Sequence, residues 1–532
     1  MMAAAEGNEL TRAHHLEAAD QPPQAGDESI EPEMGSSQAN GAAAFGRQTA
    51  GGGYVRVKLA EKDTSGFSGR DTEGGPPVGC WLPLSRTQTA LAAAGVCLLV
   101  LVVIAFGTGL GSPRSPKSTT YGQLGEISQC VRAPVGGEKP TLILISSDGF
   151  RWDYLFKVPT PNIDRLRMQG TETATGMMPM YPSITFPNHY SIVTGLHPES
   201  HGIIANYFRP ADNTSEQFSM ANHDARWWLG EPMWVTARKQ GLTAAAFFWP
   251  GAEVIKPDWP CDPEYCPRYN SALPYEDRVD RVLGWLDLPP EQRPQFMTMY
   301  MEDPDHWGHR VGPDAPQIDA AVTRVDAMIG RLLDGLETRG ILNTTHVIMV
   351  GDHGMTSVCE CKDIYLEDLA PWVDLPMDWV NTESPVLSLL PPPDVDVRAL
   401  HANISRALAP GGISNGEFLS LYLKEDISER FHYSHSPRIA PIVGIVAEGY
   451  TVRKTRAEKE GIQCGGVHGF DNALFSMRTI FFGRGPRFGV RNVVPTFRNI
   501  ELYEVMCDIL GLEPAPNNGT AGFKETVLRR SC

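Results

Sequence analysis

Thr141-Leu-Ile-Leu-Ile-Ser-Ser-Asp148-Gly149 and Thr345-His-Val-Ile-Met-Val-Gly-Asp352-His353-Gly354 are two apolar runs, each closed by an aspartate beside a glycine. A β-rich run without polar alternation reads as a strand buried on both faces, as in a parallel sheet covered by helices. The runs predict strands over 141–147 and 345–351. Between them, apolar spacing predicts helices over 161–169 and 318–339. In the second, Val322, Val325, Ile329, Leu332, Leu333 and Leu336 share one face. Strands alternating with helices give an α/β fold with a mostly parallel sheet. In open α/β sheets ligands collect beyond the carboxyl ends of strands, where Asp148 and Asp352 stand. One acid after a strand is as well explained by a helix cap or a turn. Two such acids, the second followed by His353, favour ligation.

Two further segments carry the same chemistry. Asp305 and His309 lie in Glu302-Asp-Pro-Asp-His-Trp-Gly-His309. Four apart, they face one way on a helical turn, although Pro304 and Gly308 also permit a tight turn. His306 competes with His309. His468 follows Cys464-Gly-Gly-Val, and Gly465, Gly466 and Gly469 allow close backbone approach around it. His432 and His435 compete with it. Three carboxylates and three imidazoles suit two borderline-soft divalent cations with positions left open for substrate. Paired metals serve in-line displacement at phosphorus, so the chemistry points to a phosphate-ester enzyme. Its nucleophile is sought in Pro182-Ser-Ile-Thr185-Phe-Pro187-Asn-His-Tyr-Ser-Ile-Val-Thr-Gly195. Pro187 in a first helical turn places Thr185 at the N-terminus, where free amides favour an anion. Thr185 reads equally as a cap, and Ser183 is the rival hydroxyl.

The long uncharged stretch 89–111 predicts one transmembrane helix, since roughly 20 residues cross a hydrocarbon core of about 30 Å. Arg70 and Arg86 precede it and Arg114 and Lys117 follow it, so flanking charge sets no orientation. The sequons at Asn213, Asn343, Asn403 and Asn518, and eight of the ten cysteines, all follow the span. That distribution predicts a type II membrane glycoprotein with disulfides in an oxidising lumen or outside the cell. Residues 1–88 lack a sustained apolar period and are expected to form a disordered cytosolic tail. Residues 112–138 read as a stalk, and 139–532 as one large α/β domain or a domain with an inserted cap. A net charge of −17 argues against a nucleic-acid polymer as partner. A nucleotide substrate stays open, because divalent metals invert the local field.

Taken together, Asp148-Gly-Phe, Thr185-Phe-Pro-Asn-His-Tyr-Ser, His201-Gly-Ile-Ile-Ala-Asn206, Phe248-Trp-Pro-Gly, Glu302-Asp-Pro-Asp-His-Trp-Gly-His, Gly351-Asp-His-Gly and His468-Gly-Phe-Asp-Asn resemble the nucleotide pyrophosphatase/phosphodiesterase family. The resemblance runs from about residue 140 to 519, and looks closest to the plant members. It implies an alkaline-phosphatase-like α/β/α sandwich and two zinc ions. Asp148, Thr185, Asp352 and His353 match one zinc site, and Asp305, His309 and His468 the other. His306, His432 and His435 then become spectators. Thr185 matches the nucleophile that forms a nucleotidyl-threonine, and Asn206 an amide that donates to a phosphate oxygen. Phe186 and Tyr269 match an aromatic pair around the nucleobase, with Trp249 and Glu253 nearby. The implied reaction releases nucleoside monophosphate from nucleotides or nucleotide sugars. Ile184 departs from the pattern, because nucleotide-preferring animal members often carry Lys there. The somatomedin-like modules and nuclease-like tail of the larger members are not recognisable. The competing readings are a lysophospholipid or choline-phosphate phosphodiesterase, and a non-catalytic adhesion or receptor ectodomain.

Overall fold

A computed structural model describes residues 139–259, 262–458 and 464–530. The expected tail, the 89–111 span and the stalk lie outside the described residues. Among the described residues no helix is long and apolar enough to cross a membrane.

Seven strands build the central sheet: β1 Thr141–Ser147, β2 Gly170–Thr173, β3 Ala244–Phe247, β4 Phe296–Met301, β5 Thr345–Val350, β6 Phe481–Arg484 and β7 Asn492–Val494. Their order is β7-β2-β6-β5-β1-β4-β3. The four strands from β5 to β3 are parallel, as the unbroken apolar runs predict. β6 runs antiparallel to both β5 and β2, which makes the sheet mixed. Alternate residues serve opposite faces: Leu142 and Leu144 enter one apolar cluster, Ile143 and Ile145 the other. A side chain buried this fully stabilises the fold by about 1.5–3 kcal/mol.

The helices that matter here are α1 Pro161–Met168, α2 Thr185–Thr194, α3 Tyr275–Leu286, α4 Asp305–Val311, α5 Pro316–Thr338 and α6 Leu502–Leu510. α1, α3 and α5 cover the Ile143 face through Ile163, Val279 and Ile329. α2 and α6 cover the Leu142 face through Ile192 and Leu502. α1 and α5 end within two residues of the predicted limits, which is ordinary fraying.

Between β5 and β6 the chain builds a smaller lobe with its own apolar cluster. Its antiparallel sheet runs in the order Leu419–Leu423, Ile442–Val446, Val386–Leu389, Val380–Thr382. Helix Val397–Leu408 covers it, capped by Asp396, whose carboxylate accepts from the Arg398 and Ala399 amides. Strands Thr356–Cys359 and Cys464–Val467 pair antiparallel and are joined by the Cys359–Cys464 disulfide. This ladder returns the chain to the main sheet next to where it left. Cys266 and Cys361 are also disulfide-bonded. Cys507 is a buried free thiol, so the cysteines after the span do not all pair.

Candidate metal centre and active site

The carboxyl ends of the parallel strands deliver the functional groups. Asp148 follows β1, Asp352 and His353 follow β5, and α4 follows β4 with Asp305 as its first residue. His309 lies one turn further along α4, so the helical alternative holds over the tight turn. His468 follows the disulfide-linked ladder, and Thr185 opens α2. Two glycines permit this convergence. Gly149 has φ +61°, and a Cβ there would come within 2.8 Å of the Asp305 Cβ. A Cβ on Gly466 would meet the Gly308 carbonyl oxygen at 2.4 Å.

All six expected ligands gather around Thr185. His309 Nε2 lies 3.4 Å from Asp305 Oδ2, and His468 Nε2 lies 3.5 Å from Asp305 Oδ1. The two Nε2 atoms are 3.1 Å apart. His353 Nε2 stands 3.0 Å from Asp352 Oδ2, 3.4 Å from Asp148 Oδ1 and 3.2 Å from Thr185 Oγ1. The His353 and His468 rings stack at 3.5 Å. In each of the three imidazoles Nδ1 lies 2.9 Å from a backbone carbonyl: Gly466 for His309, Ser183 for His468 and Gly354 for His353. A carbonyl only accepts, so Nδ1 carries the proton and Nε2 of the neutral ring is a lone pair. Three lone pairs are thus aimed at carboxylates and at one another.

The carboxylates answer in kind. Asp148 Oδ1, Asp305 Oδ1 and Asp352 Oδ2 are buried and accept no hydrogen bond. Burial, then repulsion from Asp352 and Asp305, pushes the Asp148 carboxyl well above its ordinary range. Burial also raises Asp305. Burial, then His353 and His309, hold the His468 ring well below its ordinary value. Unpartnered carboxylate oxygens and imidazole lone pairs turned on a common centre fit a divalent cation, and the carbonyl-anchored rings have the usual ligand orientation. The residues present therefore fit the implied metals.

Asp305, His309 and His468 place ligand atoms within 4.8 Å of one another, matching one expected set. The other set is less separate. Asp148 groups with Asp305 and His353, and also with His189 and Asp352. Sequence reasoning missed His189, whose Nδ1 lies 3.0 Å from the Thr185 carbonyl and 3.3 Å from Asp352 Oδ2. Its position four residues after Thr185, on the same face of α2, was the available signal.

The rival residues separate cleanly. Ser183 is buried and donates to the Phe470 carbonyl. His432 stacks on His197 at 3.8 Å, and His435 is exposed. His306 lines the cavity beside His309 but joins no group of candidate ligands.

Above the centre lies a cavity of about 890 Å³, lined by Phe186, Tyr269, Trp249, Glu253 and Asn206. Asn206 Oδ1 accepts the Phe186 amide, which leaves its Nδ2 to donate elsewhere. Trp249 donates its indole N–H to the His189 carbonyl, so it braces α2 as well as lining the cavity. Glu253 accepts the Tyr269 amide. The Tyr269 hydroxyl donates to Glu302, which the buried Arg278 grips through two 2.9 Å bonds. Tyr300 donates to Asp148 Oδ2 at 2.5 Å. Glu302, Arg278 and Tyr300 were not foreseen, because their role appears only when three distant segments meet.

Residues 142–471 match the profile of a family described as type I phosphodiesterase/nucleotide pyrophosphatase. Venom phosphodiesterase 2 of Crotalus adamanteus is 39% identical over 415 residues, covering 76% of this chain and 49% of that protein. Human ectonucleotide pyrophosphatase/phosphodiesterase family member 1 is 39% identical over 412 residues, covering 75% and 43%. The chain thus spans about half the length of the curated relatives it matches. Among solved structures, murine ectonucleotide pyrophosphatase/phosphodiesterase 5 superposes with a TM-score of 0.65 at 32% identity, covering 73% of this chain and 100% of that one. An inactive variant of that protein, in complex with AMP, matches equally. These relatives are animal proteins, so the likeness to plant members stays an expectation.

Proposed function

Because the chain belongs to the type I phosphodiesterase/nucleotide pyrophosphatase family, we propose that it hydrolyses phosphodiester or pyrophosphate bonds in nucleotides and nucleotide sugars. One observation carries this reading: Asp148, Asp305 and Asp352, each with an unpartnered buried oxygen, cluster at His353, whose Nε2 lies 3.2 Å from Thr185 Oγ1 in a cavity lined by Phe186 and Tyr269.

Asp148, Thr185, Asp352 and His353 would hold one zinc ion, and Asp305, His309 and His468 the other. Bound there, they lower the pKa of the Thr185 hydroxyl and offset charge on the phosphoryl oxygens. Thr185 Oγ1 attacks phosphorus, and the bond from phosphorus to the bridging oxygen breaks. The leaving half departs with that oxygen, and the threonine proton passes to solvent. Water then attacks the nucleotidyl-threonine, the Oγ1–P bond breaks, and Thr185 regains a proton as nucleoside monophosphate departs. Asn206 Nδ2 donates to a nonbridging oxygen as charge builds there. His189 positions Asp352 and the first turn of α2. Phe186 and Tyr269 stack the base, an interaction worth about 1–3 kcal/mol.

The localisation proposed alongside is a type II membrane protein, with 1–88 cytosolic, 89–111 the signal anchor, 112–138 the stalk and 139–532 catalytic outside the cytosol. Of the four sequon asparagines, Asn213, Asn343 and Asn518 are exposed and Asn403 is half-buried. Glycosidase treatment should lower the mass of the protein, and external protease should spare the catalytic domain in sealed vesicles.

The deciding experiment offers the zinc-loaded protein nucleotides, nucleotide sugars and choline-containing lysophospholipids. Nucleotide compounds should turn over, and Thr185→Ala should lower the rate by several orders of magnitude while metal content is retained. Preferential cleavage of the lipids overturns the substrate reading. Turnover of none of them favours a non-catalytic ectodomain. Tyr269→Ala should cost about 5- to 150-fold on nucleotides and little on a small nitrophenyl diester.

A further inference from the structure

Far from the metal centre, a groove of about 630 Å³ opens where β5 begins and β6 ends. β5 has six residues, so at about 3.3 Å each the groove lies roughly 20 Å from Asp352. Asn343, the first residue of the Asn343-Thr-Thr sequon, lines it. The Asn343 amide is turned in one direction only. Arg484 donates to its Oδ1 at 3.0 Å, and a guanidinium cannot accept, so the oxygen must face the arginine. Arg484 is fixed in turn by Gln169 and the Leu342 carbonyl. Asn343 Nδ2 therefore faces away from Arg484, and among the described residues it donates no hydrogen bond. Both Asn343 and Thr344 are exposed.

The walls of the groove suit a particular occupant. Leu342, Pro486 and Val490 supply apolar surface. Val490 is 67% exposed, although water on so much of a valine is unfavourable. The cations beside Asn343 are already engaged. Arg165 pairs with Asp334 at 2.5 Å and Glu337 at 2.6 Å, and Arg484 is held as described. A free anion gains little from either. An uncharged N-acetyl sugar has an apolar ring face for Val490 and Pro486, and hydroxyl and amide groups for the polar side of the groove.

We infer that Asn343 carries an N-linked glycan and that its first N-acetylglucosamine lies in this groove, covering Val490. The inference rests on the reading that places residues 139–532 outside the cytosol. The sugar comes from an oligosaccharide linked to a lipid diphosphate. Asn343 Nδ2 forms a bond to C1 of the sugar as the bond from C1 to the diphosphate oxygen breaks. The lipid diphosphate departs with the bonding electrons, and the amide nitrogen loses one proton.

The test uses the full chain, made in the secretory pathway of a eukaryotic host and extracted in mild detergent. Glycopeptide mass spectrometry should find Asn343 occupied. In the native protein, peptide N-glycosidase should release this glycan about tenfold more slowly than the one at Asn213, the scale of covering one apolar sugar face. Asn213 is the reference because Thr214 and Ser215 beside it are exposed. Val490→Asp, made at an exposed position, should speed release at Asn343 about tenfold and leave Asn213 unaffected. Occupancy of Asn213 with Asn343 empty overturns this inference alone. Native release at Asn343 as fast as at Asn213 does the same, and so does a slow rate that Val490→Asp leaves unmoved. If none of the four sequons is occupied, the topology falls and this inference with it.

Discussion

Two groups of histidines in this fold differ in one respect that would separate a metal ligand from scaffold. His201 accepts the Ile203 amide at Nδ1, while Nε2 lies 3.1 Å from the Pro187 carbonyl and 3.0 Å from Ser191 Oγ. His346 is likewise occupied on both sides, by the Thr141 carbonyl and the Arg487 amide. His309, His353 and His468 are tethered to the backbone only through Nδ1, and turn Nε2 toward carboxylates whose Asp148 Oδ1, Asp305 Oδ1 and Asp352 Oδ2 accept no hydrogen bond. Burial alone therefore marks neither role. The partner of the second ring nitrogen does, because a satisfied imidazole has no lone pair to give a cation.

The largest effect expected from this contrast is on metal and turnover. Metal analysis should find two zinc ions per chain, and chelation should abolish activity until zinc is restored. Asp305→Ala and His468→Ala should deplete one ion, Asp352→Ala the other, each lowering kcat/KM by orders of magnitude. Full occupancy in all three variants would falsify the partition between the sites.

A smaller effect belongs to the scaffold histidines. Burial, opposed in part by the Pro187 carbonyl, lowers His201 to about 3. Burial lowers His346 to about 4. Both folded values lie below the ordinary imidazole value, so the unfolded chain binds more protons as the solution acidifies. Stability is complete above about pH 6.5 and is lost as pH falls toward 3, by a few kcal/mol for so buried a group. His201→Gln should flatten that slope by one proton in acid denaturation while leaving zinc content unchanged. Loss of zinc in that variant would erase the distinction drawn between the two groups.

The smallest effect tests how the ladder holds His468. Cys464→Ser releases the link to Cys359, four residues before the ligand. Zinc affinity at the Asp305–His309–His468 site should fall by about tenfold, as for loss of an orienting contact. The His353 site, anchored on β5, should hold its ion. An equal loss at both sites in metal titrations would mean that the disulfide supports the fold at large.

Much of this architecture could be read locally. β1 and β5 fall where their apolar runs stand, because a strand buried on both faces leaves an unbroken signature. Asp148, Asp352 and His353 follow from the ends of those runs, and Asp305 with His309 from their spacing. Local reading could not orient β6, since a run of four residues carries no direction. It also left Ser183 beside Thr185, and His432 and His435 beside His468, as alternatives.

Side-chain chemistry and periodicity are properties of short segments, so the sequence by itself determined β1 and β5, α1 and α5, and the motifs that carry the candidate ligands. Convergence is a property of packing across hundreds of residues, and only the tertiary structure decided it. Packing spent the Ser183 hydroxyl on Phe470 and stacked His432 on His197. It brought His189 against Asp352 and turned the Asn206 amide nitrogen away from the Phe186 backbone. It also set Asn343 in a groove with Pro486 and Val490, residues that no motif joins to the sequon.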